Sequence, residues 1–505
     1  MGRRLLTDLM RSLRCAWQVM SIDTLPDEML LAIFDIFVVD ECKFSKEEID
    51  SWHSLVHACR RWRRIVFESP RRLNLRLGNT AKTPARDFLD VWPSLPLFIH
   101  EYSDSACETG MDNIIAVLER SDRVDQFILV LSSLFLQEAL AVMLVPFPKL
   151  TNLVLEFAFE DEDESIPALP DSFLGRSAPC LQSISLNRIP FPGLPNLLLS
   201  TTHLVDLSLE RIPHSGYISP ETLATVLSTL ASLETLHLEF RSQSHSNRTS
   251  RPHISTRSVL RALTSLSFSG VSDILEDFVA RIDAPQLHTV SITFDHIVFD
   301  TPQLAQFTGR TPRLKAFKKA RVVFEHFVSE PVSVSVEHGA VRVIFFSRVS
   351  GRGGYGRISV GISVGESNWP PSSLMQACTS CLSPDSPLST VNSLYIDVTN
   401  LLPDWLNDWL NDMQDTEWLE VLLPFTAVRN LYLSEEFAQP IATALKELVK
   451  DGTTEVLPSL QKIVFQGPLP SDSVQEAIGQ FVAARQVSTD SSLPTIDVIH
   501  RPNLY

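Results

Sequence analysis

The sequence predicts an α/β fold, in which a small helical module precedes an irregular solenoid of strand–helix repeats that carries a β insertion. Three observations predict this fold. A Leu-x-x-Leu-x-Leu motif returns at intervals along the chain beyond residue 120. Stripes of apolar residues at helical spacing lie between its copies. Short segments with an apolar stripe at helical spacing precede the first copy, within residues 22–70.

The composition is that of a folded, soluble chain. Of its 505 residues, 44% are hydrophobic and 20% are charged. The net charge of −17 argues against a nucleic-acid partner, because contacts with phosphates need a positive surface. No apolar run reaches the roughly 18 residues that a membrane-spanning helix needs, so we expect no membrane partner.

The seven cysteines indicate a reducing compartment. Their number is odd and their spacing irregular, which argues against a disulfide framework. Since no secretory signal is found, we expect the protein in the cytoplasm, the nucleus or both. Cys378 and Cys381 form one Cys-x-x-Cys pair, but half of a tetrahedral ligand set binds little metal. We therefore predict no metal site and no cofactor.

Residues 1–21 form a basic segment with four arginines among apolar residues. Mitochondrial presequences and helices at a membrane surface can have this pattern. Because chain termini are often poorly ordered, we interpret the segment as a frayed or disordered start of the chain.

The next module, within residues 22–70, is predicted to be helical. Its first helix carries one apolar stripe: Leu30, Ile33, Phe34 and Phe37. A second stripe at helical spacing runs from Trp52 to Val66. Helices this short do not bury such stripes alone, so they need each other and a partner surface.

The same residues carry a resemblance to a known family. Leu25-Pro-Asp-Glu-Met-Leu-Leu-Ala-Ile-Phe34, followed by Val56-His-Ala-Cys-Arg-Arg-Trp-Arg-Arg-Ile-Val66, resembles the F-box. The resemblance implies a three-helix module that packs against the Skp adaptor of Skp–cullin–F-box ubiquitin ligases. It implies that Leu25 and Pro26 meet the adaptor. It also implies four apolar residues that serve the adaptor contact and helix packing: Ile33, Val56, Cys59 and Trp62. The link from Val38 to Ser51 is longer and more charged than usual, so we expect a displaced middle helix.

The repeated motif is the strongest pattern in the chain. From Leu150 to Leu314 its copies start 23 to 31 residues apart. Leucine-rich repeats of about 20–29 residues have this core, whose last two apolar positions point inward from a short strand. The predicted copies are Val124/Phe127/Leu129, Leu150/Leu153/Leu155, Leu181/Ile184/Leu186, Leu204/Leu207/Leu209, Leu233/Leu236/Leu238, Leu263/Leu266/Phe268, Leu287/Val290/Ile292, Val391/Leu394/Ile396, Val428/Leu431/Leu433 and Leu460/Ile463/Phe465. Leu314/Phe317 is a broken copy, with Lys319 in its third apolar position.

One segment, 329–390, departs from the repeats. Valines alternate with other residues on both sides of His338-Gly339, which predicts an inserted β-hairpin with its turn at that dipeptide. The predicted organisation is a terminal segment over 1–21, the F-box over 22–70, a linker and capping region over 71–122, leucine-rich repeats over 123–328, the hairpin and loop insertion over 329–390, C-terminal repeats over 391–487 and a tail over 488–505.

The outward strand positions are expected to form the concave surface of the solenoid. They are polar, somewhat acidic and interspersed with aromatic residues, which favours a protein target of basic character. From them we select four candidate target-binding residues: His237, Glu239, Tyr395 and Tyr432.

No catalytic motif is found. The chain lacks the phosphate-binding Gly-x-x-x-x-Gly-Lys-Ser/Thr loop, the zinc-binding His-Glu-x-x-His helix and the Gly-x-Ser-x-Gly nucleophile elbow. We therefore expect a non-enzymatic substrate receptor, whose F-box binds the Skp adaptor and, through it, cullin, and whose repeats bind an unknown protein target. A leucine-rich-repeat scaffold without a ligase is the alternative. An enzyme is the third hypothesis and needs side chains that only the fold brings together.

Overall fold

The computed structural model describes residues 22, 25–39, 53–68, 77–79, 85, 89, 95–102, 108–158, 166–216, 218–240, 257–295, 301–315, 317–329, 336–347, 356–364, 371–382, 387–399, 413–451, 456–487 and 496–501. The chain divides into two compact units, Met1–Leu181 and Gln182–Tyr505. The predicted displacement of the middle F-box helix falls partly on residues 40–52, which lie outside the described residues.

The first unit contains short helices followed by a parallel sheet. The helices at its start are α1 (Asp27–Val39), α2 (His53–Ala58) and α3 (Arg60–Glu68). The following elements are β1 (Leu77–Asn79), β2 (Leu97–Tyr102), α4 (Glu108–Leu118), β3 (Val124–Leu131), α5 (Ser133–Val142) and β4 (Asn152–Phe157). The four strands pair in sequence order, all parallel. The segment predicted as a linker thus contributes two strands, β1 and β2, to this sheet.

The second unit continues the alternation of strands and helices. Its strands are β5 (Ser183–Asn187), β6 (Asp206–Ile212), β7 (Thr235–Phe240), β8 (Ser258–Val259), β9 (Ser265–Gly270), β10 (Ile282–Asp283), β11 (Thr289–Phe294), β12 (Phe317–Ser329), β13 (Val336–Ser347), β14 (Gly356–Val364), β15 (Ser393–Thr399), β16 (Asn430–Ser434), β17 (Lys462–Gln466) and β18 (Asp497–Arg501). Its helices are α6 (Leu194–Leu198), α7 (Pro220–Leu227), α8 (Ser272–Ala280), α9 (Pro302–Arg310), α10 (Pro371–Cys381), α11 (Asp415–Leu422), α12 (Glu435–Asp451) and α13 (Asp472–Val487).

Inward residues of neighbouring strands form buried columns. Leu207 of β6 pairs with Leu236 of β7, and the column continues through Leu266 of β9 to Val290 of β11. All four side chains are buried. Burying one such side chain contributes about 1.5–3 kcal/mol, so each strand is held by its neighbours on both sides. These copies of the predicted motif are confirmed, and the second unit is a mixed α/β repeat with a long, mainly parallel sheet.

The predicted hairpin is wrong in its extent and in its turn. Strand β12 pairs antiparallel with β13, and β13 pairs antiparallel with β14. His338 and Gly339 lie inside β13, opposite Phe327 and His326. The chain reverses earlier, between Ser329 and Val336. A His-Gly pair is compatible with a strand as well as with a turn, so the local pattern did not locate the reversal.

The insertion is built into the sheet. Strand β14 pairs parallel with β11, and β12 pairs parallel with β15, so the order is β11-β14-β13-β12-β15. The broken motif at Phe317 is accommodated by a bulge between Phe317 and Lys319. Beyond the bulge, Ala320 and Val322 pair with core residues of β15. The shift turns Lys319 away from the core and restores the buried columns.

An aromatic cluster connects the insertion to the C-terminal repeats. Phe324 of β12 stacks on Phe437 of α12, with ring centroids 4.7 Å apart. Trp418 of α11 lies 5.7 Å from Phe437 and 6.1 Å from Phe324. All three side chains are fully buried, so this end of the insertion is part of the core.

Replacing an inward leucine tests the buried columns. We expect Leu236→Ala to lower the free energy of unfolding by about 2–5 kcal/mol, because the surrounding side chains close the cavity only in part. Ser267→Ala, on the outward face of neighbouring β9, is the matched control and should change the free energy by less than about 0.5 kcal/mol. Urea unfolding followed by circular dichroism measures both, and equal effects would contradict the assignment of the two faces.

Candidate functional site

Helix α1 has two apolar faces. Leu30 and Phe34 are buried, and the Phe34 ring packs edge-on against Trp62 of α3 at 4.9 Å between centroids. A second row is accessible to solvent, with Met29 54% and Ile36 53% exposed. We call the residues of this row the outer stripe: Pro26, Met29, Ile33 and Ile36. Large apolar side chains aligned at helical spacing on a surface are typical of a docking face.

The start of α1 is fixed to α3 by one arginine. The Arg61 Nε donates to Asp27 Oδ1 at 3.0 Å, and a second Arg61 nitrogen donates to the Leu25 carbonyl at 2.5 Å. The hydrogen bond from Arg61 holds the pKa of the Asp27 carboxyl below its usual value. The Leu25-Pro26 segment is therefore anchored at the same end of α1 where the outer stripe begins.

Cys59 lies between two helices, whereas the apolar stripe from Trp52 to Val66 predicts one continuous helix. Helix α2 ends at Ala58, and α3 begins at Arg60. The Trp62 backbone N–H donates to Cys59 Sγ at 3.4 Å, so the thiol serves as the N-terminal cap of α3. The Arg63 Nε donates to the Val56 carbonyl at 2.9 Å and ties the two helices together.

The six residues implied by the F-box resemblance thus fall into two groups. Leu25, Pro26 and Ile33 lie at the accessible side of α1. The other three serve the interior or the join between helices: Val56 is buried, Cys59 caps α3, and Trp62 packs against Phe34. Sequence reasoning missed Met29 and Ile36, although their spacing from Pro26 and Ile33 is a signal that the sequence carries.

The second unit has an outward face, formed by the strand residues that alternate with the buried columns. His237 and Glu239 lie on it in β7, and Tyr395 and Tyr432 lie on it in β15 and β16. The two tyrosines are register partners whose rings stack at 4.2 Å with an interplanar angle of 6°. Six strand spacings of about 4.8 Å separate β7 from β15, so the two pairs are about 29 Å apart along the sheet. The structure brings each pair together but places the pairs in different regions.

The region around β7 is acidic. Burial raises the pKa of the Glu239 carboxyl, while Arg211 and His237 lower it by a smaller amount. Glu210 of neighbouring β6 adds to the increase and accepts a hydrogen bond of 2.7 Å from Ser208. This part of the outward face agrees with the acidic surface predicted from the sequence.

The region from β14 to β12 is basic, which corrects that prediction. Four cationic residues occupy outward positions on these three strands: Lys319, Arg321, Arg342 and Arg357. Because the sequence predicts a separate hairpin for this part of the chain, these four residues are not among the outward positions that it predicts. The predicted preference for a basic target therefore fits the acidic region around β7 and does not fit the region from β14 to β12.

One ion pair joins this basic region to the stacked tyrosines. The Arg321 Nε donates to both carboxylate oxygens of Asp397, at 2.8 and 2.7 Å. Arg321 lies directly opposite Tyr395, on the side away from Tyr432. Burial raises the pKa of Asp397, and the hydrogen bond and charge of Arg321 lower it in part.

The Cys378–Cys381 pair lies in α10 with both side chains buried. Burial raises the pKa of the Cys381 thiol to about 12, so this thiol is protonated at neutral pH. Among the residues that the structure describes, no group of three or more His, Cys, Asp or Glu side chains is placed to hold a metal ion. Within the same residues, no helix combines the length and the apolar character needed to cross a bilayer.

No protein-family model matches the chain, and no curated protein gives a significant match. Among solved structures, the chain is similar to the leucine-rich repeat-containing protein LegL7 from Legionella pneumophila, with 13% identity over 74% of this chain and 93% of that chain. The TM-score of 0.26 means that the two backbones do not superpose as a whole. The repeat architecture therefore rests on the strand register described above.

Removing Arg321 should make stability depend more strongly on pH. Without the guanidinium, the pKa of Asp397 rises further above the unfolded value of about 3.9. Below the folded-state pKa of Asp397 the carboxyl is neutral in the folded wild type and in the folded variant, so the loss from Arg321→Ala is small there. As the pH rises from the folded-state pKa of the wild type toward the higher one of the variant, the loss should grow to about 1–2 kcal/mol. This is less than for a fully buried pair, because solvent screens this one.

Urea unfolding between about pH 4 and about pH 7 measures this dependence. Arg321→Ala/Asp397→Asn is the control, because it removes both charges and should recover most of the loss at neutral pH. An equal loss for Arg321→Ala at both ends of the pH range would show that the ion pair does not cause it.

Proposed function

We propose that this protein is the substrate-recognition subunit of a Skp–cullin–F-box ubiquitin ligase, in which the first unit binds the Skp adaptor and the second unit binds a protein target. The chain would carry out no chemistry itself. It would raise the effective concentration of the target's lysines near the ubiquitin-loaded enzyme. The resemblance of residues 25–34 and 56–66 to the F-box is the starting point of this proposal.

The outer stripe is the observation that supports the adaptor contact best. A helix of this length needs only one apolar face for its own packing, and Leu30 with Phe34 provides that face. The second face, with Met29 and Ile36 about half exposed, leaves apolar surface uncovered by the described residues. The contact of Arg61 with the Leu25 carbonyl orders the adjoining Leu-Pro segment before any partner binds, which lowers the entropy lost on association.

The outward face of the second unit supports the target-binding role. Stacked tyrosines beside an arginine, as at Tyr395, Tyr432 and Arg321, are the residue types that contribute most to protein interfaces. We propose a reducing compartment, the cytoplasm, the nucleus or both, because seven cysteines of irregular spacing do not suit a disulfide framework.

The alternative function is a repeat scaffold that binds proteins without a ligase. It uses the same outward face and differs only at the first unit. Adaptor binding therefore separates the two functions, and the outer stripe is the feature that favours the ligase.

Substitutions on the accessible side of α1 test the proposal. We expect the wild-type full chain to bind purified Skp adaptor and Met29→Ser/Ile36→Ser to weaken binding at least about tenfold, since two apolar side chains lose their burial in the interface. Leu25→Ala/Pro26→Ala should weaken it similarly. Isothermal titration calorimetry measures both, with circular dichroism to verify that each variant is folded.

Leu134→Ser is the matched control, because Leu134 of α5 in the same unit is also exposed and apolar. It should bind the adaptor as the wild type does. Failure of the wild type to bind the adaptor would exclude the ligase function and leave the scaffold. Adaptor binding that none of the α1 substitutions changes would show that the outer stripe is not the contact.

A further inference from the structure

The strand order of the insertion gathers positive charge on one part of the outward face. Register pairs Arg357 of β14 with Phe346 of β13, and Phe346 with Lys319 of β12, so the two cations flank one aromatic side chain. Arg342 and Arg321 lie further along the same three strands, on the same face. We call these four cationic residues and Phe346 the basic patch. On outward positions of these strands whose side chains the structure describes, every charged residue is a cation.

Two of the four cationic side chains are held down on the sheet. Arg342 lies opposite Gly361 and donates to the Ser291 hydroxyl of β11 at 3.1 Å, so its side chain crosses the intervening strand β14. Gly361 permits this crossing, because a Cβ there would lie 2.7 Å from Arg342 Cγ. Arg321 is fixed by Asp397. These side chains lose little further freedom when a ligand binds.

The other two cations project into solvent. Lys319 and Arg357 are exposed, and neither makes an ion pair with a described residue. They lie two strand spacings apart, about 10 Å, so one extended peptide of about three or four residues reaches from one to the other. Among the outward side chains that the structure describes on β12 to β15, four cations stand against one carboxylate, Asp397. These described side chains are therefore net positive within a chain whose net charge is −17.

We infer that the basic patch binds an extended, carboxylate-rich segment of the target protein, with the stacked Tyr395 and Tyr432 as the apolar anchor beside it. The inference rests on the proposed target-binding role of the second unit and names the chemistry of the target. Arginine forms strong, charge-assisted hydrogen bonds with carboxylates. The contact of Arg321 Nε with both oxygens of Asp397 already shows one carboxylate bound on this face. From β14 to β16 the surface spans four strand spacings, about 19 Å, or about six extended residues.

A nucleic acid fits these observations less well. The patch covers three strands, and β6 and β7 on the same sheet carry outward carboxylates at Glu210 and Glu239 that repel phosphates. A peptide with acidic residues over the basic patch and neutral or basic residues beyond it matches both regions.

The test uses the full-length chain and a fluorescein-labelled peptide of alternating glutamate and serine. Fluorescence anisotropy should show binding that weakens with salt, and little binding of the same peptide with glutamine in place of glutamate. Lys319→Glu/Arg357→Glu should lower the affinity by about tenfold, which corresponds to about 1.4 kcal/mol. Gly361→Ala should also lower it, by a few-fold, because the added methyl displaces Arg342 while every charge is kept.

Lys149→Glu/Arg261→Glu is the matched control, because it changes the net charge equally at two exposed positions outside the basic patch. Equal loss of affinity in both double variants would overturn the inference, since general repulsion would then explain it. Tighter binding of a single-stranded oligonucleotide than of the glutamate peptide, lost in Lys319→Glu/Arg357→Glu, would overturn it in favour of nucleic acid. Adaptor binding is measured on the same samples. Loss of peptide binding with adaptor binding intact would count against the basic patch alone, and loss of adaptor binding with peptide binding intact would count against the ligase function alone.

Discussion

The register between neighbouring strands is the constraint on which the rest of this structure depends. Each strand of the repeats is too short to be stable alone, and it buries its apolar residues only when they lie opposite those of the strands beside it. Leu207, Leu236 and Leu266 show the rule, because each is buried between equivalent residues. A slip of one residue would turn the column outward and the polar residues inward.

The insertion keeps its apolar residues in register with the neighbouring strands by means of a β-bulge. Its first strand carries Lys319 where the motif expects an apolar residue, and the bulge at Phe317 shifts the following residues so that Ala320 and Val322 complete the columns. The register that buries these residues also decides which side chains face outward. The basic patch is therefore a consequence of how the insertion is joined to the sheet, and its chemistry contrasts with the acidic residues of β6 and β7.

Local patterns predicted the repeats well, since both the inward leucines and the helices after them are encoded within about 30 residues. Features that depend on distant pairing were not predictable in this way. The order β11-β14-β13-β12-β15 depends on pairings between segments far apart in sequence, and the His338-Gly339 pair indicated a turn that the strand pairing overrules. The contact of Asp27 with Arg61 joins residues 34 positions apart, so neither residue signals it alone. Strands β1 and β2 lack the repeated motif, which is why their segment was interpreted as a linker.

We propose that the outer stripe and the outward face bind different partners, the Skp adaptor and the protein target. Hydrogen–deuterium exchange of the full chain, with and without the Skp adaptor, tests this proposal because it locates the contact along the chain. We expect the adaptor to slow exchange in α1 and to leave exchange in β12 to β16 unchanged. No change in α1, or protection of β12 to β16 by the adaptor, would contradict it.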